Sequence, residues 1–419
     1  MRWWGPLGLL AAIRVAIPLA AYAGSSFPGT PAFTRPARDG GLEGDATGFY
    51  AAAREFMAAW GRMPRAVLAL DALLALAAAV AIVVLWRRWP EWRAWLTAAA
   101  LCALGLVVSV DVHWMKSTGA AVFGWSLLWS LPMLPYRVLG FGLSKHVAWD
   151  FGFALSLAIV ALTVVAVGCL GRNATGRRWV GLLAAAFWTA WPLLVGLIAG
   201  HHAWANSQWD VDTGLHNYDE PLSTLLVTSG AALVLSPRLT QLRLALAGCA
   251  LSAGTLVKVS NALLAAAALL VVCLRGGRRD ALPCLAGALS LAPLVGAYWP
   301  ISYPKLFNNR RSWPKDPFDP AHVVSSWTHS SIFTPHTLAI IVPLAAIGIA
   351  AVIRPWPLAL LLAFLLVNPV FYSFYANTAQ HPRFLYASLP ELFVLWSAGL
   401  AVLLRLGLRR LPAPVPARW

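Results

Sequence analysis

The chain has 419 residues, of which 59% are hydrophobic and only 11% are charged. A soluble domain carries about 25% charged residues, so this composition excludes an ordinary soluble fold. A net charge of +16 would suit a nucleic-acid partner. The Lys and Arg residues, however, fall in short clusters between apolar runs, a pattern that argues against nucleic acid and is typical of the cytoplasmic loops of a membrane protein.

Apolar runs recur along nearly the whole length, and a bilayer core needs about 20 apolar residues per helix. Basic clusters such as Arg87 and Arg88 are assigned to the cytoplasmic side. Together these constraints predict a single all-α membrane domain over residues 1–419, a polytopic bundle of about twelve spans (ten to fourteen) with both termini inside. The predicted spans are 3–22, 66–86, 95–110, 150–170, 179–199, 220–236, 244–257, 260–274, 281–300, 337–353, 357–375 and 385–404.

Because successive connections between spans alternate between the two sides of the membrane, several polar connections are expected on the outer side. These outer loops are 23–65, 111–149, 200–219, 301–336 and the short 376–384. In the first of them, residues 48–60 place apolar side chains at helical spacing, which predicts an interfacial helix lying flat on the membrane. Segment 119–136 is apolar, but a single crossing there would reverse the sidedness of later loops. It is therefore expected to be a re-entrant or interfacial helix, or a pair of short helices.

Three ionisable residues fall at or near membrane depth, where such groups are costly and usually functional. Arg14 and Asp71 are candidates for a structural ion pair between the first two spans. Lys258 follows a predicted span at the outward tip of a short hairpin. It is a candidate for binding a ligand, or alternatively for reaching lipid headgroups.

Acidic residues number only 16, and many of them collect in the predicted outer loops. The outer set includes Asp39, Glu43, Asp45, Asp210, Asp212, Asp219 and Glu220. A carboxylate at the membrane surface can be a general base, a metal ligand or a solvated loop residue. Asp210 and Asp212 form a D-x-D pair, but this spacing is common in loops, and no metal or other cofactor is predicted.

Four motifs occur in order on the predicted outer side. They are GDATGFY at 44–50, NYDEPL at 217–222, GTLVK at 254–258 and HPRFLY at 381–386. With this arrangement the chain resembles, over nearly its whole length, the C-type glycosyltransferases, multi-span enzymes that use polyprenyl-phosphate sugars and include the dolichyl-phosphate-mannose mannosyltransferases. The chain departs from the mannosyl-transferring branch in having only Pro382 between His381 and Arg383, where that branch carries acidic residues.

The resemblance implies an inverting transfer of a sugar from a polyprenyl-phosphate donor to a glycan, lipid or protein acceptor, with Asp45 as the catalytic base. Fixed cations would stabilise the charge of the departing phosphate. The candidates for binding the donor phosphate are Arg383, His381 and Lys258, with Lys305, Arg310 and Arg311 as secondary ones. The candidates for binding the acceptor or the sugar are Asp210, Asp212, Asp219, Glu220 and Tyr50.

Two alternatives to the enzyme stay open: a polytopic transporter or lipid flippase, and a non-catalytic relative with the same fold. Transporters place charged residues at the bilayer midplane and often contain inverted repeats. Here the charges concentrate in outer loops and no such repeat is evident, which favours the enzyme. The resemblance implies the cytoplasmic membrane with the site on its outer side, and the Ala and Arg bias is typical of a bacterium. The donor sugar, the acceptor and the oligomeric state stay open.

Overall fold

The computed structural model describes residues 3–22, 45–115, 123–199, 219–297, 319–329, 335–352, 354–374 and 384–410. Within these ranges there is no strand, so the all-α class is confirmed. The helices are α1 (Trp4–Tyr22), α2 (Asp45–Arg62), α3 (Arg65–Arg88), α4 (Arg93–His113), α5 (Phe123–Val138), α6 (Lys145–Thr175), α7 (Arg178–Ala199), α8 (Glu220–Val234), α9 (Gln241–Val257), α10 (Asn261–Leu289), α11 (His322–His329), α12 (Pro335–Ala351), α13 (Pro355–Ser373) and α14 (Leu389–Arg410).

Helix length and composition support a multi-pass membrane protein. In the described ranges six helical segments are long and apolar enough to cross a bilayer: Arg65–Arg88, Pro90–His113, Lys145–Thr175, Asn261–Leu289, Pro355–Ser373 and Tyr386–Leu406. Four apolar helices are shorter. Helix α10 contains a kink at Gly277, where φ is 67° and two helical runs meet. The predicted spans 260–274 and 281–300 lie on either side of this kink. The total of about twelve spans stays a prediction.

Glycines allow the helices to approach closely. A Cβ atom on Gly248 of α9 would overlap the carbonyl oxygen of Cys284 in α10, and one on Gly287 of α10 would overlap that of Ala245 in α9. Gly348 of α12 lies in the same way against α14. Lipid tails are as apolar as the helix surfaces, so close van der Waals packing of this kind stabilises a membrane bundle where hydrophobic burial does not.

Several basic clusters meet at one end of the bundle, which we call the basic end. Asn173, beside Arg172 at the end of α6, donates its Nδ2–H to the carbonyl oxygen of Ala232 in α8, at 2.7 Å. Arg275 of α10 donates from Nη1 to the carbonyl oxygen of Val234, at 3.2 Å. Arg354, before α13, lies beside the turn that follows α6. The basic clusters lie in connections that were predicted to be cytoplasmic. These connections are at the same end of the bundle, as the positive-inside pattern requires.

The expected pairing of Arg14 with Asp71 was wrong. Arg14 is buried in α1, and its guanidinium lies over the Trp188 ring of α7, 5.7 Å from the ring centroid. Asp71 lies in α3, which packs against α4. Helix α1 packs instead on α6 and α7. Two spans that follow each other in the sequence need not be neighbours in the bundle, and this is why the pairing failed.

Helices α2 and α5 pack against each other at the other end of the bundle. Tyr50 of α2 lies against Trp129 of α5 with ring centroids 6.0 Å apart, and the Trp129 indole N–H donates to the carbonyl oxygen of Ala148, at 2.8 Å. Most apolar side chains of α2, including Phe49, Phe56 and Met57, are buried inside the protein. Protein contacts therefore account for the helical pattern at 48–60, and an orientation parallel to the membrane stays a prediction. Segment 119–136 contributes one helix in its described part, not two short ones.

The sidedness of the two ends can be tested by labelling single cysteines in a cysteine-free background. Gly142 lies in the exposed connection between α5 and α6, and Pro237 lies in the exposed turn between α8 and α9 at the basic end. We expect an impermeant maleimide to label Gly142→Cys in intact cells, and Pro237→Cys only after the membrane is permeabilised. The reverse pattern would contradict the predicted topology and remove the basis for an outer active site.

Candidate functional site

Lys258 lies at the end of the bundle opposite the basic end, in the turn between α9 and α10. Its backbone N–H donates to the carbonyl oxygen of Gly254 at 2.8 Å, and its own carbonyl oxygen accepts from the N–H of Asn261 at 3.0 Å. Its extended backbone (φ −139°, ψ 123°) ends α9, and α10 begins three residues later. A cation at a helix C-terminus is stabilised by the helix dipole. The turn therefore holds the Lys258 backbone in place from both sides.

The side chain of Lys258 forms an ion pair with Glu220, the first residue of α8. Nζ of Lys258 lies 2.7 Å from Oε1 of Glu220, and the two side chains are 11% and 2% exposed. A carboxylate in the first turn of a helix is favoured by the helix dipole. Pro221, which follows it, suits the same turn because its fixed φ is helical and the N–H it lacks would have no partner within the helix. At this distance the contact is a charge-assisted hydrogen bond. Removing either partner would deprive a largely buried charge of this contact.

Asn261 joins the two sides of this ion pair. Its buried Nδ2 donates to the carbonyl oxygen of Gly254 at 2.9 Å and to Oγ of Ser223 at 2.7 Å. Ser223 lies three residues after Glu220 and so on the same face of α8, while Gly254 belongs to the last turn of α9, just before Lys258. One amide therefore links the helix ends that carry the two charges and sets the spacing between them.

Aromatic rings cover another side of Lys258. Its Nζ lies 5.0 Å from the ring centroid of Phe384, a distance at which a cation–π interaction contributes about 0.5–1 kcal/mol at exposed sites and more when desolvated. Phe384 stacks on Tyr372 of α13, with centroids 4.3 Å apart and an interplanar angle of 11°. The Tyr372 hydroxyl and Oγ of Ser260 lie 3.0 Å apart. The turn after α9, the end of α13 and the residue that follows Arg383 in the sequence thus form one cluster.

The described part of the long outer loop 301–336 also reaches this end. The N–H of Asp319, three residues before α11, donates to the carbonyl oxygen of Phe374 at 3.1 Å, directly after α13. Tyr372 lies only two residues earlier on α13. The loop therefore returns to the bundle beside the aromatic cluster, and its basic residues Lys305, Arg310 and Arg311 lie outside the described part of the chain.

Helix α5 connects this cluster with α2. A Cβ atom on Gly124 of α5 would lie 2.8 Å from the side chain of Val257, the residue before Lys258. Farther along, α5 packs against α2 through Trp129 and Tyr50. Burial raises the pKa of the Tyr50 phenol, and the nearby Arg54 guanidinium lowers it by less, so the phenol stays protonated near neutral pH. Through α5, the helix that begins at Asp45 is linked to the Lys258 turn.

Some of the predicted site residues are in contact with each other, others are buried elsewhere, and others lie outside the described residues. It brings Lys258 and Glu220 into direct contact, although the sequence analysis gave them separate roles in binding the donor phosphate and the acceptor or sugar. Asp219 is fully buried at the start of α8, and Tyr50 is buried against α5. Asp45 is the first residue of α2, and its side chain lies outside what the structure describes. Also outside are Asp210, Asp212, His381 and Arg383.

Two contributors were missed at the sequence level: Asn261 and Tyr372. Neither is distinctive in the sequence. Asn261 belongs to a Ser-Asn pair at a helix start, which is an ordinary capping pattern. Tyr372 is an aromatic residue near the end of a span, which is an ordinary interfacial feature. Among the described residues no group of three or more His, Cys, Asp or Glu side chains is arranged to hold a metal ion. The D-x-D pair at 210–212 lies outside the described residues.

Comparison of the sequence with protein-family models and with curated proteins found no match. The likeness to C-type glycosyltransferases therefore depends on the four motifs, and membership of that family is a proposal.

Loss of Lys258 should destabilise the protein through the buried carboxylate that it leaves behind. We expect Lys258→Met to lower the free energy of unfolding by about 3–5 kcal/mol, the usual scale for breaking a buried ion pair. Glu220→Gln placed in the same chain should recover most of this loss, because the uncompensated charge is then removed. Unfolding in mixed detergent, followed by tryptophan fluorescence, measures both variants.

The more exposed ion pair of Arg62 with Glu55 provides the control, since its side chains are 28% and 22% exposed. Glu55→Gln should change the stability by about 0–1 kcal/mol. If Lys258→Met is as stable as the wild type, the ion pair with Glu220 is not a structural contact in the folded protein.

Proposed function

We propose that the chain is an integral membrane glycosyltransferase, which moves a sugar from a polyprenyl-phosphate donor to a cell-envelope acceptor at the outer face of the cytoplasmic membrane. The observation that carries the proposal is a convergence in space. The helix that begins at Asp45, the turn at Lys258 and the segment that begins at Phe384 come from three motifs distant in sequence. Contacts through α5 and the aromatic cluster connect all three at one end of the bundle.

The proposed reaction is a single displacement, and it requires a base. A hydroxyl of the acceptor attacks the anomeric carbon, the bond to the phosphate oxygen breaks, and the hydroxyl proton passes to Asp45. One displacement inverts the configuration at that carbon. Asp45 begins α2, and backbone N–H groups at a helix N-terminus favour the ionised carboxylate, which is the form that a base needs.

The departing polyprenyl phosphate is negatively charged, so the site also requires fixed cations. Glu220 already neutralises part of the charge of Lys258, and this shifts the main role to Arg383, with His381 beside it. Arg383 directly precedes Phe384, whose ring contacts Lys258. Arginine suits the role because its planar guanidinium can donate two parallel hydrogen bonds to phosphate oxygens. Lys305, Arg310 and Arg311 stay secondary candidates.

Replacing the base tests the enzyme directly. Removing a general base typically lowers the rate by about 100-fold to 10,000-fold, so Asp45→Asn should abolish detectable sugar transfer. Expression and donor binding should stay close to those of the wild type, because the substitution preserves the size of the side chain. The measurement is transfer from a labelled polyprenyl-phosphate sugar by purified protein in nanodiscs.

Asp39→Asn and Glu43→Gln are matched controls, since each makes the same change of charge in the same outer loop. Both should retain transfer activity. Near-wild-type turnover in Asp45→Asn would move the base to Asp210, Asp212 or Asp219.

A second substitution tests the phosphate ligand. If Arg383 binds the phosphate through two hydrogen bonds, Arg383→Lys should weaken donor binding by about 1–3 kcal/mol, the scale of a charge-assisted hydrogen bond. An interfacial arginine that only reaches lipid headgroups would tolerate lysine. Donor affinity of wild type and variant in nanodiscs decides between these roles. An unchanged affinity in a folded variant would transfer phosphate binding to Lys258 or to the loop 301–336.

One observation favours the transporter as a second candidate. Arg14 and Glu391 are fully buried in apolar helices, and the Glu391 carboxylate has no hydrogen-bond partner among the described residues. Intramembrane charges often mark transport pathways. The Asp45→Asn measurement separates the two functions, because a transporter does not need a base to activate an acceptor hydroxyl.

A further inference from the structure

The proposed function assigns a phosphate group to the end of the bundle where Lys258 is already paired. The ammonium of Lys258 lies 2.7 Å from Oε1 of Glu220 and against the face of Phe384. A phosphate oxygen and the Glu220 carboxylate would both accept hydrogen bonds from this ammonium, so they compete for it. Glu220 was expected to bind acceptor or sugar, and its position against Lys258 suits a different role.

We propose that Glu220 is the resident counter-ion of Lys258 and that the phosphate of a lipid-linked ligand displaces it. This inference depends on the proposed function, because it requires a phosphate-bearing ligand at this end of the bundle. Of the two partners, Lys258 is the more exposed, with 11% of its side chain accessible against 2% for Glu220. The Lys258 side chain is therefore more accessible to a ligand than the Glu220 side chain is.

The backbone around the ion pair is suited to such an exchange. Asn261 ties α8 to the last turn of α9, so the two helix ends keep their spacing when the ion pair opens. The exchange itself changes the contact between the side chains of Lys258 and Glu220. The Phe384 ring stays in place as a second, weaker partner for the ammonium, because it is stacked on Tyr372.

A resident counter-ion sets a threshold for binding. Any anion that occupies the site has to replace an existing charge-assisted hydrogen bond, so the gain from Lys258 alone is small. A ligand that also contacts other groups of the site gains enough binding free energy to displace Glu220. An anion that offers only a single charge does not. Binding sites commonly gain specificity from an interaction that disfavours binding of the wrong ligands. Glu220 would then determine selectivity without contacting the ligand.

The test is the affinity of purified protein in nanodiscs for polyprenyl phosphate. Removing the competing charge should tighten binding, so Glu220→Gln is expected to lower the Kd by about ten-fold, which corresponds to loss of one charge-assisted contact with Lys258. Glu220→Asp keeps the charge but shortens the side chain by one methylene, and we expect a smaller decrease, about three-fold. It also keeps the test decisive if Glu220→Gln does not fold.

Two further variants show whether the effect acts through Lys258. In a Lys258→Met background, Glu220→Gln should no longer change the Kd, because no ammonium is left to release. Glu55→Gln makes the same change of charge in a different ion pair and should leave the Kd unchanged. Inorganic phosphate, titrated in parallel, identifies the source of the ligand. A response to the lipid alone assigns the site to a lipid-linked phosphate, and an equal response assigns it to free phosphate, with displacement of Glu220 supported in either case.

The outcomes separate this inference from the proposed function. Wild-type protein that binds polyprenyl phosphate while Glu220→Gln and Glu220→Asp bind equally or more weakly would overturn the counter-ion role and leave the glycosyltransferase intact. Wild type and variants that all fail to bind either form of phosphate would overturn both. Tighter binding by Glu220→Gln that persists in the Lys258→Met background would also overturn the exchange, because the effect would then not involve the ammonium.

Discussion

Inside a bilayer no water is present to hydrogen-bond the backbone, so a spanning segment must satisfy its own N–H and C=O groups, and this requirement favours helices throughout. The same solvent removes the hydrophobic drive for helices to associate, so close packing has to replace it. Glycines such as Gly248 and Gly287 permit this by placing backbone directly against backbone. Polar loop residues can then be held at defined positions, because the helix ends that carry them are fixed.

The two ends of the helix bundle carry different sets of charged groups. Several basic clusters meet at one end, whereas the end opposite carries the ion pair of Lys258 with Glu220 and a group of aromatic rings. Lys258 is held by the backbone of a short turn, and Glu220 by the start of a helix, with Asn261 between them. A charged pair with so little freedom is well suited to respond to an incoming anion, because few side-chain torsions are lost when the partner is exchanged.

Four of the charged residues in the interior are of two kinds. Lys258 and Glu220 neutralise each other near the helix ends. Arg14 and Glu391 are fully buried in apolar helices, and Arg14 has the face of Trp188 as one neighbour. A fully buried ionisable group is costly in hydrocarbon, so such a group is a candidate for a role beyond packing. The first kind is linked to the proposed chemistry by contacts, and the second is where transport chemistry would be sought.

The sequence by itself determined the fold class and most of the helix-forming segments, although not α11, because hydropathy and period depend on local composition alone. Residues 48–60 were correctly predicted to be helical for that reason. Only the tertiary structure decided which charges meet: Arg14 lies on Trp188 instead of Asp71, and Lys258 binds Glu220, which is 38 residues away. Helical segments can pack in many arrangements that satisfy the same hydropathy pattern. Which charged residues contact each other depends on the arrangement that the helices adopt. These contacts therefore cannot be predicted from the pattern of residues along the chain.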